Sequence, residues 1–508
     1  MKLNHKIYAT ALLAGLCTTA CTVDGFDPID TYSDVTEGVQ DDPGKEVFFK
    51  DKAAVDSHME TLYKQFRDRQ EHLYLDRLLL AEAHSDNAYG GTTGAEVIPF
   101  ENNSIEGSNS VINRDWERYL EDIARANRLI VGIEDVKDPA LTADIKAKYV
   151  AEAKIFRAFM LFHMVRIWGN VPVITDVAGQ ITSETIAEVY PQYFPAQKSP
   201  KEAYEQIVKY LSDALGTASL PTNSPEDKSR LTKAVAHALL AKAYAEKPVR
   251  DYTQVIKHAD ALEAMGYDLQ EDYADLFAMN EDNTDTRMRN TRESILEAQF
   301  FSGSGNWVSW MFGRDLSNWD NNFTWAKWVT PSRSLVNAYE REGDKVRYEQ
   351  SIVWYKANWS NYYPADRYAF MYKIRSAYSS IIYLRYADIL LLKAEALIMG
   401  PQPDLARAAN IIDRVRSRAR LPKLTAEDRA SKESLLEAYM LERRLELAME
   451  GERWFDLVRL DKVEGVMNTL RDSGRKPRVY DFNQDSYLLP IPQGAVDSNE
   501  NLKQNPGY

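Results

Sequence analysis

The stretch RYADILLLKAEALIMG at residues 385–400, with DLARAANIIDRVRSRARLP at residues 404–422 close behind it, predicts a helix, a short turn and a second helix. The same arrangement occurs earlier, in LTKAVAHALLAKAYAEKP at residues 231–248 and YTQVIKHADALEAMGY at residues 252–267. Small alanines lie on the packing faces, with aromatic residues between them. This pattern favours a mostly α scaffold of degenerate tetratricopeptide-like helical pairs. An unrelated helical bundle is the alternative, because the period is irregular.

Other segments extend the helical prediction toward both ends of the chain. ADIKAKYVAEAKIFRAFMLFHMVRIWGNVP at residues 143–172 has apolar residues at spacings of three and four, and Gly169 marks the end of the predicted helix. YLLPIP at residues 487–492 holds two prolines, which do not fit a helix interior. We therefore expect this second segment to dock in extended form.

Two long irregular regions interrupt the helices, at about residues 84–113 and 271–379. Loops of this length usually carry function or are disordered. The second region holds seven of the ten tryptophans, and five of these lie in NWVSWMFGRDLSNWDNNFTWAKW at residues 306–328. So large an aromatic surface must be buried or used for binding. This region is the first place to look for function.

The N-terminus is typical of a secretory signal, which we assign to residues 1–20. Two lysines precede an apolar run of 11 residues, IYATALLAGLC, which is too short to span a bilayer. Cys21 at the expected cut resembles the lipidated cysteine of a bacterial lipoprotein, where two or more acyl chains give a lasting anchor. Ordinary cleavage that leaves a free cysteine is the alternative. Residues 21–45 are acidic and turn-rich, which predicts a flexible tether, and a single domain follows at residues 46–508.

Composition excludes several function classes. The mature chain would keep one cysteine, Cys21, and no disulfide, since Cys17 leaves with the signal. Loss of Lys2 and Lys6 changes the formal charge from −14 to −16. Such a surface argues against a nucleic-acid partner, because nucleic acid requires clustered Lys and Arg. No later segment offers 18 uncharged apolar residues, so we expect no membrane-spanning helix.

Five segments resemble the signatures of the SusD/RagB family, in order along the chain. They are AEAKIFRAFMLFHMVRIWGNVPVIT (residues 151–175), LTKAVAHALLAKAYAE (231–246), LRYADILLLKAEALI (384–398), ERRLELAMEGERWFDLVRL (442–460) and LLPIPQGAVDSNENLKQNPGY (488–508). Agreement of several long motifs is far more specific than any lone short pattern.

This resemblance implies a surface-exposed outer-membrane lipoprotein of a Bacteroidetes-type bacterium. Members of the family act as a lid over a SusC-like TonB-dependent transporter, and they capture an oligosaccharide, or in some cases a peptide, for import. The implied fold is mostly α, with four tetratricopeptide-like helical pairs as a scaffold and a loop-rich irregular subdomain packed on it. Ligand-binding aromatics in the family come from loops of the two irregular regions.

A carbohydrate site needs flat aromatic faces for the apolar sides of pyranose rings and planar polar groups for the hydroxyls. The segment at residues 306–328 supplies both, and we predict that two or three of its tryptophans contact a glycan. Trp319 and Trp325 are the first choices, because SNWDNNFTW has the densest polar interleaving. The further candidates are Trp307, Trp310, Asp320 and Asn321, with Asn87 and Tyr89 from the first irregular region. A satellite hydrophobic cluster is the alternative role for these rings.

The signature ERRLELAMEGERWFDLVRL is interpreted as structural. Arg453 and Asp456, and likewise Asp456 and Arg459, are spaced for ion pairs on a helix surface. Trp168 and Trp454 lie in periodic helices, so we expect them in the core.

Catalytic signatures are absent from the sequence: there is no P-loop, GxSxG, HExxH or glycine-rich dinucleotide turn. We therefore expect no enzyme activity and no cofactor. A structural calcium ion is a weaker hypothesis, based on the hard oxygen donors of EDNTD at residues 281–285 and DNN at residues 320–322. Neither segment completes a known calcium loop.

The main hypothesis is a cell-surface glycan-binding lipoprotein that feeds a SusC-like transporter. Two alternatives stay open. One is an oligopeptide-binding lid of the RagB type, in which the aromatics form side-chain pockets. The other is a tetratricopeptide-like protein-interaction scaffold, in which the tryptophans are structural.

Overall fold

The computed structural model describes residues 39–42, 45–91, 94–301, 303–311, 328–357 and 362–508, with only the backbone of residues 39–42, 45, 46, 310 and 311. Helices dominate, so the predicted mostly α fold is confirmed. The α-helices are α1 (Lys52–Asp68), α2 (Asp76–Leu78), α3 (Ile98–Asn102), α4 (Ser110–Gly132), α5 (Ala143–Trp168), α6 (Ile186–Val189), α7 (Pro200–Leu215), α8 (Lys233–Ala245), α9 (Tyr252–Ala264), α10 (Val308–Met311), α11 (Arg333–Glu342), α12 (Lys345–Ser351), α13 (Tyr386–Met399), α14 (Leu405–Arg418), α15 (Lys432–Glu446), α16 (Arg453–Arg459), α17 (Val463–Met467) and α18 (Gln493–Ser498). The proposed signal peptide and most of the tether lie outside the described residues.

Short antiparallel two-stranded ladders connect the helices. The strands are β1 (Val39–Asp42), β2 (Lys45–Val47), β3 (Ala88–Tyr89), β4 (Val171–Pro172), β5 (Gln197–Lys198), β6 (Ser294–Ala298), β7 (Thr330–Pro331), β8 (Ile352–Tyr355), β9 (Tyr368–Met371) and β10 (Ile381–Arg385). The pairs are β1 with β2, β3 with β7, β4 with β5, β6 with β10, and β8 with β9.

Helix α13 lies at the centre of the C-terminal scaffold. It is buried from Tyr386 to Ile398, as expected for a helix that others surround, and its charged residues Asp388, Lys393 and Glu395 are ion-paired. Helices α9, α14 and α15 pack on it, and α8 pairs with α9. The two helix–turn–helix pairs predicted from the sequence are therefore present and in contact. Their arrangement as tetratricopeptide-like repeats stays a finer prediction.

The charges of the signature at residues 442–460 are buried, which corrects the prediction of surface ion pairs. Arg459 Nη2 donates to Asp456 Oδ1 at 2.7 Å, as its spacing predicted, and Arg443 Nε donates to Asp456 Oδ2 at 2.7 Å. Arg453 turns away from Asp456 and donates instead to Asp86, in the first irregular region. The prediction was wrong on exposure because α16 packs against residues 79–83 instead of facing solvent.

The second irregular region is less irregular than predicted, since it contains α11, α12 and several strands. Strand β6 is entirely buried and pairs with β10, which leads directly into α13. Strand β7 pairs with β3, through Ala88 with Pro331 and Tyr89 with Thr330. The two irregular regions are therefore joined to each other and to the scaffold.

Residues 488–492 of the C-terminal tail dock in extended form, as predicted for the YLLPIP segment. Leu489 and Ile491 are buried, and the Leu489 N–H donates to the carbonyl of Ile167 at 2.9 Å. Asn505 Nδ2 donates to the carbonyls of Trp168 at 2.9 Å and Leu489 at 2.7 Å. The tail thereby closes the end of α5. Within the described residues, no helix combines the length and apolarity that crossing a membrane requires.

Candidate ligand-binding site

Among the predicted contacts whose side chains the structure describes, Trp307 has its ring at the surface. Its side chain is 49% exposed, and its backbone N–H donates to Oε1 of the buried Gln70 at 2.8 Å. Gln70 lies two residues beyond Asp68, the last residue of α1. A half-exposed indole therefore projects from a backbone that a buried side chain fixes.

Asn306 fixes the same backbone from the other side. Its Nδ2 donates to the carbonyls of Ser376 at 3.1 Å, Ala377 at 3.1 Å and Ser379 at 2.8 Å, and its Oδ1 accepts from the Val308 N–H at 3.0 Å. Its burial and these four bonds give Asn306 a structural role, as the anchor of Trp307.

Phe301 is a second exposed aromatic residue, which the sequence analysis missed. Its ring is 53% exposed and lies 5.8 Å from the guanidinium carbon of Arg67, near the end of α1. Phe301 forms an isolated antiparallel bridge with Ser304, and Gly303 has a positive φ of +90° that other residues rarely adopt. Phe301 and Trp307 thus contact neighbouring residues of one helix end. The glycine-rich run FFSGSGNW at residues 300–307 was the available signal.

Two other tryptophans of the second region, Trp328 and Trp354, are half-buried and pack on the core. Trp328 packs against the main hydrophobic cluster. Trp354 Nε1 donates to the Tyr348 hydroxyl at 2.8 Å, and its ring meets Tyr363 edge-on at 5.1 Å. Trp168 and Trp454 are fully buried, as predicted.

Asn87 is buried, contrary to its predicted contact with a glycan. Its Nδ2 donates to Glu82 Oε2 at 2.8 Å, and its Oδ1 accepts from Arg444 Nε at 2.8 Å. Its polar loop setting suggested exposure, but the loop is folded under the signature helices. Asn87 therefore has a structural role in this structure.

Tyr89 is also buried, contrary to the prediction. Its hydroxyl donates to Asp472 Oδ1 at 2.7 Å and accepts from the Arg333 N–H at 2.9 Å, while its ring stacks on Tyr362 with centroids 4.6 Å apart. The Tyr362 hydroxyl in turn donates to the buried Glu101 at 2.7 Å. Burial, and then Glu101, raise the pKa of Tyr362 far above its ordinary value, so the phenol stays a donor. This cluster joins three segments and leaves Tyr89 no exposed face.

The remaining predicted contacts lie outside the described residues. They are Trp319, Asp320, Asn321 and Trp325, together with the side chain of Trp310, whose backbone lies in α10. These five stay predictions. Trp310 is three residues beyond Trp307, so its backbone position is near the exposed pair.

The calcium hypothesis also stays untested. In the loop at residues 281–285, Asp282 Oδ1 accepts from the Thr284 N–H at 3.2 Å and hydroxyl at 2.6 Å. Asp285 Oδ1 accepts from Arg289 Nε at 2.9 Å. These oxygens serve the loop itself, and within the described part of the chain no three His, Cys, Asp or Glu side chains are grouped as metal ligands.

Sequence comparison places the chain among known relatives. Residues 241–508 match the SusD family, and residues 38–245 match a family described as starch-binding associating with outer membrane. The chain is 27% identical over 487 residues to SusD-like protein P2 of Formosa agariphila, across 85% of this chain and 87% of that relative. It is 25% identical over 443 residues to SusD-like protein P38 of the same organism, across 80% and 82%.

Solved structures show the same fold. A laminarin binding SusD-like protein matches with a TM-score of 0.68 at 24% identity, over 91% of this chain and all of that one. Surface glycan-binding protein A from Bacteroides thetaiotaomicron, in complex with laminarihexaose, matches with a TM-score of 0.69 at 19% identity, over 90% and 100%. Because the SusD match alone spans more than half of the sequence, and the fold agrees, this chain belongs to the SusD family.

Proposed function

We propose that this protein binds an oligosaccharide at the bacterial surface and passes it to a SusC-like TonB-dependent transporter. The observation that carries the proposal is the indole of Trp307, half-exposed on a backbone held by Gln70 and Asn306. Phe301 and Arg67 extend this surface with a second ring and a planar hydrogen-bond donor.

The geometry suits a sugar because a ring held in place before binding loses little entropy when a ligand stacks on it. Each stacking contact contributes about 1–2 kcal/mol, so two or three contacts with a few hydrogen bonds give millimolar to micromolar affinity. That range suits capture followed by release to a transporter.

The relatives support a glycan as the ligand, since two proteins of the same fold are described by their binding of laminarin or laminarihexaose. Laminarin is therefore the first polysaccharide to test. In this proposal Cys21 carries the lipid anchor, the protein belongs to the outer membrane of a Bacteroidetes-type bacterium, and its role is binding without catalysis.

Affinity electrophoresis in gels that contain laminarin, starch or no polysaccharide tests the proposal. We expect wild-type protein to be retarded by at least one glycan, and Trp307→Ala to lose most of that retardation. Tyr480→Ala is the matched control, because Tyr480 is an exposed aromatic residue on another segment. Binding to oligopeptides alone, or equal retardation of Trp307→Ala and Tyr480→Ala, would overturn the proposal.

A further inference from the structure

A loop between β4 and β5 carries a concentration of exposed apolar side chains. Ile181, Ile186 and Tyr190 are 44%, 49% and 53% exposed, and they are three of the ten large apolar residues that are exposed in the described part of the chain. Ile186 begins the short helix α6, and its N–H donates to the Thr182 carbonyl at 3.0 Å. We call residues 181–190 the ridge. Apolar surface that is concentrated in this way is typical of a contact with another molecule.

The ridge is acidic. Glu184 and Glu188 lie two residues before and two residues after Ile186, and both are exposed. No Lys or Arg occurs from residue 169 to residue 197, so the sequence around the ridge supplies no cation. The ridge therefore presents an apolar side chain between two carboxylates. A complementary partner has an apolar hollow with cations at its edge.

A recess of matching size lies on the segment before the C-terminal tail. Its volume is about 140 Å³, and Met467, Leu470 and Pro477 supply its apolar lining. At about 30 Å³ for a water-sized group, the recess has room for about four or five such groups. An isoleucine side chain, with its four carbons, therefore fits. Val479 is 54% exposed and continues the apolar surface next to the recess along the chain.

The recess is basic where the ridge is acidic. Residues 471–480 hold four cations and one acid, whereas the whole chain carries a formal charge of −14. The cations are Arg471, which is exposed, and Arg475, Lys476 and Arg478, which line the recess. The acid, Asp472, already accepts the Tyr89 hydroxyl at 2.7 Å and the Ser334 N–H at 3.2 Å. The local charge is therefore opposite to that of the ridge.

Arg471 and Arg478 are the cations that a partner can reach. Lys476 pairs with a buried glutamate, and Arg475 donates to main-chain carbonyls, so both hold the wall of the recess. Arg478 pairs at 3.0 Å with Asp481, whose side chain is 79% exposed. Surface pairs of this kind contribute little stability, so an acidic partner can compete with Asp481 for Arg478.

We propose that a second copy of this chain docks here, with Ile186 of one copy filling the recess of the other. The ridge carboxylates then meet Arg471 and Arg478. Each copy carries both surfaces, so a two-fold pair makes the contact twice and closes as a dimer. The apolar groups leave water, and the charges set the register because a wrong pairing brings like charges together. The contact is at the small end of specific interfaces, so we expect dissociation in the micromolar range. The proposal does not depend on the glycan site.

Sedimentation velocity of the mature chain with Cys21→Ala, which removes the predicted anchor, tests for the dimer. Between about 1 and 100 µM we expect the sedimentation coefficient to rise from that of one chain to that of two. Added salt at about 0.5 M should weaken the association at least about threefold, because it screens the charges at the rim. A single-chain coefficient up to about 100 µM, or growth beyond two chains, would overturn the proposal.

Exchange of charges tests the pairing of the two surfaces. The ridge variant is Glu184→Lys with Glu188→Lys, and the recess variant is Arg471→Glu with Arg478→Glu. We expect each variant alone to dimerise at least about tenfold more weakly than wild type, because like charges then face each other. An equimolar mixture of the two should regain the dimer, since each altered surface meets its complement. If both variants are folded by circular dichroism and the mixture stays monomeric, the two surfaces do not pair.

The apolar part of the contact has its own test. Ile186→Ala should weaken the dimer at least about fivefold with little change in thermal midpoint, because a half-exposed side chain contributes little to the fold. Met288→Ala is the matched control, since Met288 is an exposed apolar residue outside both surfaces. Glu433→Lys with Glu437→Lys is the charge control on α15. Each control should change association by less than about twofold, and wild-type association of Ile186→Ala would contradict the docking of that side chain.

The acidic tether of the same chain is the rival occupant of the recess, because residues 22–38 hold five acids and no cation. Deletion of residues 22–38 should leave the dimer unchanged if the occupant is a second copy. A dimer that becomes at least about fivefold tighter after the deletion would assign the recess to the tether and overturn the proposal.

Discussion

Arg453 and Asp86 form a buried ion pair across 367 residues of chain. Arg453 Nε donates to Asp86 Oδ1 at 2.8 Å and Nη2 donates to Oδ2 at 3.2 Å, while Arg444 brings a second guanidinium to 3.1 Å from the same carboxylate. Asp86 belongs to the first irregular region, and both arginines belong to the signature at residues 442–460. The pair therefore fastens the loop-rich part of the molecule to the helical scaffold.

Asp86→Asn should destabilise the protein by about 3–5 kcal/mol, because it leaves two buried guanidinium groups without their counter-ion. Urea unfolding followed by circular dichroism measures the change. Asp481→Asn is the matched control, since Asp481 pairs with Arg478 at the surface, and its cost should be below about 1 kcal/mol. Similar costs for the two variants would mean that burial of the Asp86 pair contributes nothing.

The stability that Asp86 contributes should depend on pH. Burial alone would raise the pKa of Asp86, but Arg444 and Arg453 lower it well below its ordinary value in the folded state. The contribution is therefore present above the unfolded pKa of about 3.9 and is lost as pH falls toward the lower folded pKa. The difference in unfolding free energy between wild type and Asp86→Asn should be constant from pH 7 to pH 5 and shrink by pH 3. If the difference in unfolding free energy at pH 3 equals that at pH 7, the lowered pKa of Asp86 is not the source of the pH dependence.

Trp307→Ala and Asn306→Ala should separate binding from stability. Removal of the exposed indole should weaken glycan binding by about 1–2 kcal/mol, roughly five- to thirtyfold, with a small change in thermal midpoint. Removal of the Asn306 amide leaves buried carbonyls unpaired, so it should cost about 1–3 kcal/mol of stability and weaken binding as well. Calorimetry and thermal denaturation of both variants provide the comparison. A large stability loss in Trp307→Ala with binding intact would make that ring part of the core.

Trp319→Ala and Trp325→Ala should each weaken sugar binding while thermal stability changes little. The prediction rests on the polar interleaving of SNWDNNFTW and on the exposed Trp307 that precedes it. Affinity gels with the glycan that retards wild type, together with thermal denaturation, measure the two effects. If stability falls by several kcal/mol and retardation persists, these rings are buried in the fold.

Cys21→Ala should release the protein from the membrane, because the acyl chains that the cysteine is predicted to carry would be absent. Fractionation of cells that express each form, with and without the transporter gene beside it, measures the change. Retention of the variant in membranes that lack the transporter would argue against a lipid anchor at Cys21.

The periodicity of apolar residues was sufficient to predict the helical scaffold, but it could not predict contacts between residues far apart in the sequence. The helix at residues 386–399 follows from closely spaced apolar residues that end at Gly400 and Pro401, which are local properties. The pairing of Tyr89 with Thr330 involves two-residue strands that have no period to detect. Arg453 shows the same limit. Local spacing predicts an ion pair with Asp456, whereas the observed partner is Asp86, which lies in a distant loop.

The candidate site was predictable as a region and only partly as residues. A tryptophan-rich segment with turn residues indicated the area of Trp307, whose ring is exposed, and glycan binding there stays a prediction. Composition cannot distinguish an asparagine that binds a ligand from one that holds a loop in place by hydrogen bonds. Asn306 and Asn87 both hold loops in place. Tyr89 was misassigned for a related reason, because its partners Asp472 and Arg333 are separated from it by more than 240 residues.

The chain is anchored on both sides of residues 312–327 by residues that lie outside that range. On one side Gln70 and Asn306 fix the chain at Trp307, and on the other side β7 pairs with β3. The bonds at these anchors are made by residues outside 312–327, so a change of sequence within that range leaves the anchoring bonds in place. Homologous segments should therefore be exchangeable between family members at these two boundaries.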